Sequence, residues 1–213
     1  MDLLSALRTH RLVAIVRGTD PDAALQAVLA LAEEGIPLIE VSLSGRGALD
    51  VIAAARAALG PAAPLGAGTV LTADDAHAAH AAGADFIVTP ALGEGVTTAL
   101  ARGLPVLAGV MTPTDIVTAV RLGADALKLF PAEQAGGPSY VRALRGPFPT
   151  APFVPVGGIT TSITPAYLAA GATAVGAGSP LLGDAADGGS LDALRTRAHD
   201  FLTAVRTTAG VPR

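Results

Sequence analysis

Cysteine and tryptophan are absent from this chain of 213 residues, and five phenylalanines and two tyrosines are its only aromatic side chains. Without thiols there are neither disulfides nor thiolate metal sites. A formal net charge of -4, with so few rings on which bases can stack, leaves no footprint for nucleic acid and points to a small-molecule partner. No uninterrupted apolar stretch reaches membrane-spanning length. The opening Met1-Asp2-Leu3-Leu4-Ser5-Ala6-Leu7-Arg8 lacks the apolar region of a signal peptide, so a soluble cytoplasmic protein is the expectation.

Lysine is nearly absent too. Thirteen arginines and a single lysine carry the positive charge, and that lysine, Lys128, lies in the apolar run Ala126-Leu127-Lys128-Leu129-Phe130-Pro131. An ammonium group is costly to bury, and arginine serves for positive charge everywhere else in the chain. What arginine cannot do is lose its proton on desolvation and become a nucleophilic amine that condenses with a carbonyl. Imine chemistry at Lys128 is therefore the first expectation, set against a plainer reading in which a strand-end lysine extends its head to water.

What the chain has in quantity is alternation. Eight short strand-like runs, Leu12–Arg17, Leu38–Leu43, Leu65–Val70, Phe86–Pro90, Pro105–Met111, Ala126–Phe130, Phe153–Gly157 and Ala174–Gly178, are separated by alanine-rich segments of helical length. Thr19-Asp20-Pro21-Asp22, Thr72-Ala73-Asp74-Asp75 and Thr112-Pro113-Thr114-Asp115 offer helix starts, and Gly35, Gly83, Gly103, Gly123 and Gly171 offer stops. Leu191–Val205 reads as a closing helix and Thr207–Arg213 as a tail that frays. Eight strand–helix repeats with no linker between them predict one α/β domain over residues 1–213, a (β/α)8 TIM barrel. The alternative is an open doubly wound sheet, whose first turn usually carries Gly-x-Gly-x-x-Gly where this chain has Arg17-Gly18-Thr19-Asp20.

Such a barrel builds its active site at the carboxyl ends of the strands. Glu40 sits there in the apolar stretch Pro37-Leu38-Ile39-Glu40-Val41-Ser42-Leu43, either salt-bridged to Arg17 or serving as a general acid and base beside the lysine. Gly157-Gly158 and Gly178-Ser179 end the last two strands, where phosphate sites are common in this fold, although turns need glycine in any case. Gly66-Ala67-Gly68-Thr69 has the look of an oxyanion or carboxylate cradle with a hydroxyl from Thr69, or of a tight strand end. Arg17 can grip a carboxylate or phosphate in bidentate fashion. His77 and His80 fall on an outer helix, where a solvated face is the plainer reading than metal ligation.

Arg17-Gly18, Ile39-Glu40-Val41, Gly66-Ala67-Gly68-Thr69-Val70, Val88-Thr89-Pro90, Ala126-Leu127-Lys128-Leu129-Phe130-Pro131-Ala132-Glu133, Val156-Gly157-Gly158-Ile159 and Gly178-Ser179 together resemble a known family. It is that of the class I aldolases that cleave 2-keto-3-deoxy-6-phosphogluconate or its galactonate epimer, and the resemblance runs from about Leu12 to Leu182. It implies a Schiff base at Lys128, proton transfer by Glu40, a homotrimer, and no metal or other cofactor. It further implies that Arg17, Thr69 and Thr89 orient the pyruvate end, that Phe130 walls the pocket, and that Gly158, Gly178 and Ser179 hold the phosphate. The products would be pyruvate and glyceraldehyde 3-phosphate, with 4-hydroxy-2-oxoglutarate as a further substrate.

Two positions depart from the phosphogluconate pattern. An arginine is typical four residues after the glutamate, where this chain has Ser44 followed by Gly45-Arg46, so the carboxylate falls to Arg17 or to Arg46. Threonine is typical before the paired glycines, where this chain has Val156, as galactonate-type members do. Two competing functions remain at this stage: a phosphosugar isomerase or epimerase using Glu40 as base and Lys128 as an electrostatic clamp, and a phosphosugar-binding barrel without turnover.

Overall fold

The computed structural model describes residues 1–207. Eight strands form within the expected runs: β1 (Leu12–Val16), β2 (Ile39–Ser42), β3 (Leu65–Gly68), β4 (Phe86–Val88), β5 (Val106–Val110), β6 (Ala126–Leu129), β7 (Phe153–Pro155) and β8 (Val175–Ala177). They pair in parallel in the order β7-β6-β5-β4-β3-β2-β1-β8, and a parallel bridge between Val156 and Gly176 brings the two outer strands together, closing the sheet into a barrel. Each strand is shorter than its run, and of the residues beyond the strand ends Arg17, Thr69, Pro90, Phe130, Val156, Gly157 and Gly178 line the mouth.

The intervening helices are α2 (Pro21–Glu33), α3 (Ala48–Leu59), α4 (Ala73–Ala81), α5 (Glu94–Ala101), α6 (Pro113–Leu122), α7 (Gly137–Arg145) and α8 (Thr164–Ala169). After β8 come the short α9 (Ser179–Leu182), a 3-10 turn (Ala185–Asp187) and α10 (Leu191–Thr207). The expected start signals do cap helices. The Asp20 carboxylate accepts from Asp22 and Ala23 N–H, while Thr72 and Thr112 each close a capping box with the aspartate three residues on. The five glycines read as stops all hold left-handed backbone, with φ from 71° to 102°. The last six residues of the tail expected to fray lie outside the described residues; Thr207 ends α10.

Side chains alternate across each strand. Leu12, Ala14, Val16, Ile39, Val41, Leu127 and Leu129 pack outward under the helices, whereas Val13, Leu38, Phe86, Val88, Leu107, Ala126, Val154 and Val156 point into the barrel. The Phe86 ring fills the centre: a Cβ at Gly66 would lie 2.4 Å from it, so that position accepts only hydrogen. Among the helices not anticipated is α1 (Leu3–His10), whose Leu3 and Leu7 join the interior cluster fully buried. It closes the amino-terminal end and leaves the carboxyl end open. No described helix is long and apolar enough to cross a membrane.

Candidate active site

The alternation that sends Leu38 inward also sends in Glu40 and Ser42, and the one that sends in Ala126 sends in Lys128. Glu40 is 1% exposed and Lys128 6%, with Lys128 Nζ 3.7 Å from Glu40 Oε1. This is an ion pair beyond hydrogen-bond length. The second carboxylate oxygen, Oε2, is buried and makes no hydrogen bond among the described residues. Leaving a buried acceptor unmet costs about 1–3 kcal/mol, so a group arriving in the cavity gains by meeting it. Burial raises the Glu40 pKa above its ordinary value, against the opposing pull of Lys128. The fold makes room for this carboxylate at one point: a Cβ at Gly68 would lie 2.5 Å from Glu40 Oε1.

Above the pair opens a cavity of about 440 Å³, which Arg17, Thr69, Phe130, Gly158, Gly178 and Ser179 line together with Glu40 and Lys128. Lys128 Nζ lies 5.7 Å from the centroid of the Phe130 ring, within cation–π range, and that ring is 39% exposed at the mouth. On the same side, beyond Gly157, Gly158 holds φ +77°, and its N–H makes no hydrogen bond among the described residues. Behind it Glu133 accepts a 2.5 Å hydrogen bond from the Tyr167 hydroxyl, whose pKa burial and the carboxylate push upward.

A single lysine against a buried carboxylate at the open end of a closed parallel barrel is the arrangement that the resemblance implied. The sequence profile of the KDPG and KHG aldolases matches residues 3–194. The chain belongs to that family. It is 36% identical over 198 residues to the 2-dehydro-3-deoxy-6-phosphogalactonate aldolase of Escherichia coli K12, covering 92% of this chain and 94% of the other. It is also 36% identical over 168 residues to the 2-dehydro-3-deoxy-phosphogluconate aldolase of Treponema pallidum, 78% and 80% of the two chains. Among solved structures, the 2-keto-3-deoxy-6-phosphogluconate aldolase of Zymomonas mobilis ATCC 29191 superposes with a TM-score of 0.88 at 29% identity, over 98% of this chain and all of that one. The protein is thus an aldolase, a carbon–carbon lyase.

Within this KDPG and KHG aldolase fold, some alternatives left open are decided and some expectations are corrected. Glu40 pairs with Lys128 and not with Arg17, which stands exposed at the mouth. Thr89 does not line the cavity. It alternates outward from Val88, is fully buried, and its hydroxyl accepts the Gly109 N–H at 3.1 Å, tying β4 to β5. The glycines of Gly66-Ala67-Gly68 form no anion cradle; they clear space for Phe86 and for Glu40, and of that motif only Thr69 reaches the cavity. Of the two arginines considered for a carboxylate, Arg17 lines the cavity and Arg46 does not. His77 and His80 are exposed on α4. Ser42 and Ile15 also line the site and were missed, although their two-residue spacing from Glu40 and Arg17 puts them on the same strand face.

Proposed function

We propose that the protein is a Schiff-base aldolase that cleaves a 2-keto-3-deoxy-6-phospho sugar acid to pyruvate and glyceraldehyde 3-phosphate. The observation that carries this reading is the buried Lys128–Glu40 pair with an unmet carboxylate oxygen inside the cavity. Lys128, as the free amine, adds to the C2 ketone, and loss of water gives an iminium that draws electrons from the C3–C4 bond. Glu40 takes the proton of the C4 hydroxyl as that bond breaks and the aldehyde departs. The same carboxyl returns a proton to C3 of the enamine, and water releases pyruvate and the amine. Thr69 and Arg17 hold the carboxylate end, Phe130 flanks the imine, and Gly158, Gly178 and Ser179 receive the phosphate. The homotrimer that the resemblance implies is supported by exposed apolar side chains on α6, where Val117 and Val120 stand one turn apart on one face.

Incubation with pyruvate and borohydride, followed by mass measurement, tests the reading. An imine former gains one permanent reduced adduct, whereas an isomerase or a phosphosugar binder keeps its mass. An unchanged mass overturns the proposal.

The phosphate assignment has its own test. At Gly158 a side chain meets left-handed backbone and would place a Cβ 2.8 Å from Glu133 Cγ, so Gly158→Val distorts the turn on both counts. Cleavage of phosphorylated substrates is expected to fall far more than proton exchange into pyruvate, which never uses that wall. Equal losses in both assays would assign the glycine to the fold alone.

Val156, 6% exposed, lines the cavity without a polar atom to offer. Discrimination by apolar contacts reaches about a hundredfold, so the wild type is expected to cleave the gluconate and galactonate epimers with kcat/KM values within that ratio. Val156→Thr adds a hydroxyl of nearly the same shape and is expected to shift the ratio toward the gluconate epimer. Kinetics of both proteins on both epimers decide this; a wild type strongly selective for the gluconate epimer contradicts it.

A further inference from the structure

The mechanism above leaves two serines unused, and both are joined to it through hydroxyls. Ser42 Oγ lies 2.8 Å from Thr69 Oγ1 and 2.8 Å from Ser44 Oγ. Ser42 is 2% exposed and lines the cavity, whereas Ser44 stands exposed at the rim. The result is a chain of three hydroxyls running from solvent to the cavity wall. Thr69, half-buried at its cavity end, holds φ 59°, a left-handed conformation that β-branched residues seldom adopt. Such a residue persists where its surroundings over-determine it. Here the surroundings are the end of β2: Leu43 N–H donates to Gly68 O at 2.8 Å, and the Ser42 hydroxyl meets that of Thr69.

Three hydroxyls carry three protons, and two are consumed by the two bonds within the chain. The third emerges from Ser44 into water, from Thr69 into the cavity, or from Ser42 itself when Ser42 accepts from both neighbours. An anionic oxygen held against Thr69 selects the second arrangement, in which Ser44 donates to Ser42, Ser42 to Thr69, and Thr69 to the anion, each bond polarising the next.

We infer that the Ser42 hydroxyl is a positioning group that donates to Thr69 Oγ1 and so directs the Thr69 proton at the carboxylate of the substrate, with Ser44 as the solvent end of the relay. This rests on the aldolase reading and names a determinant of its keto-acid binding. Ser42 touches no reacting atom; it acts through Thr69. Because the carboxylate is held alike before and during the reaction, the effect belongs in binding and not in turnover.

The test compares Ser42→Ala, Ser42→Cys, Ser42→Thr and Ser44→Ala by steady-state kinetics on the phosphorylated keto acid and by the pyruvate concentration that half-saturates borohydride trapping, with melting curves as a control. Loss of one charge-assisted donor chain is expected to raise KM and the half-saturating pyruvate by about five- to fiftyfold in Ser42→Ala, with kcat within about threefold of the wild type. Ser42→Cys, similar in shape with a weak donor, should behave as the alanine variant. Ser42→Thr restores a hydroxyl and should return KM to within about threefold of the wild type, and Ser44→Ala, where water substitutes, should change it by only about twofold. If the alanine variant does not fold, the cysteine and threonine pair carries the comparison. Unchanged KM in Ser42→Cys, or a threonine variant no better than cysteine, overturns the inference. A wild type that forms no adduct with pyruvate overturns the aldolase reading itself, which is a different result.

Discussion

Lys128→Arg is expected to abolish both pyruvate labelling and aldol cleavage, with turnover reduced on the order of 10⁴-fold or more, because a guanidinium supplies charge but no nucleophilic amine. The chain makes this test unusually clean. With one lysine in the whole sequence, borohydride reduction has a single side-chain amine to capture, and the N-terminal amine is the only competitor. Peptide mapping of the wild type should place the adduct on Lys128. Arginine is bulkier, and the site is closed around a side chain 7% exposed, so Lys128→Ala serves as a second variant in which overpacking plays no part. Cleavage that persists in either protein contradicts the imine and favours an electrostatic clamp.

Glu40→Gln is expected to cut turnover by about 10² to 10⁴, the usual span for loss of a general acid and base, while pyruvate can still be trapped. The two readouts separate steps: trapping needs the amine, and cleavage also needs a group to accept the C4 proton. The pH profile adds a sign. Glu40 must be ionised to accept that proton, and burial raises its pKa above the ordinary value of 4.5. The acid limb of kcat should therefore lie higher than an exposed carboxylate would put it, with activity lost as pH falls through the raised value, and the glutamine variant should lack that limb. Near-normal turnover in Glu40→Gln would make the carboxylate a structural partner of Lys128 and nothing more.

Much of this was legible in the sequence because it depends on local chemistry. Helix starts at Asp20, Thr72 and Thr112 are set by side chains that reach their own backbone a few residues on, and the glycine stops by the left-handed conformation those turns demand. The eight strands follow from the period of the apolar runs, and the site could be sought at their carboxyl ends once eight repeats implied closure. Lys128 and Glu40 stood out as charges in apolar strands, which is a statement about neighbours in the chain.

What the chain could not tell by itself concerns partners far apart in sequence and the side of a strand on which a residue falls. Glu40 had two cationic candidates, and only the closed barrel brings Lys128, not Arg17, to 3.7 Å. Thr89 ended a strand as plausibly as Thr69 did. It faces outward because β4 turns Phe86 and Val88 inward, and its hydroxyl is taken by the Gly109 N–H. The glycines around Ala67 suggested an anion site, yet their bare Cα atoms admit a ring from β4 and a carboxylate from β2. The plug α1 was overlooked because an eight-residue amphipathic segment has little to mark it until the interior of the barrel offers Leu3 and Leu7 a place to be buried. The sequence alone determined which groups carry charge, which backbone can turn, and the period of each element; the tertiary structure alone decided which of those groups meet, because barrel closure sets distances that no spacing along the chain encodes.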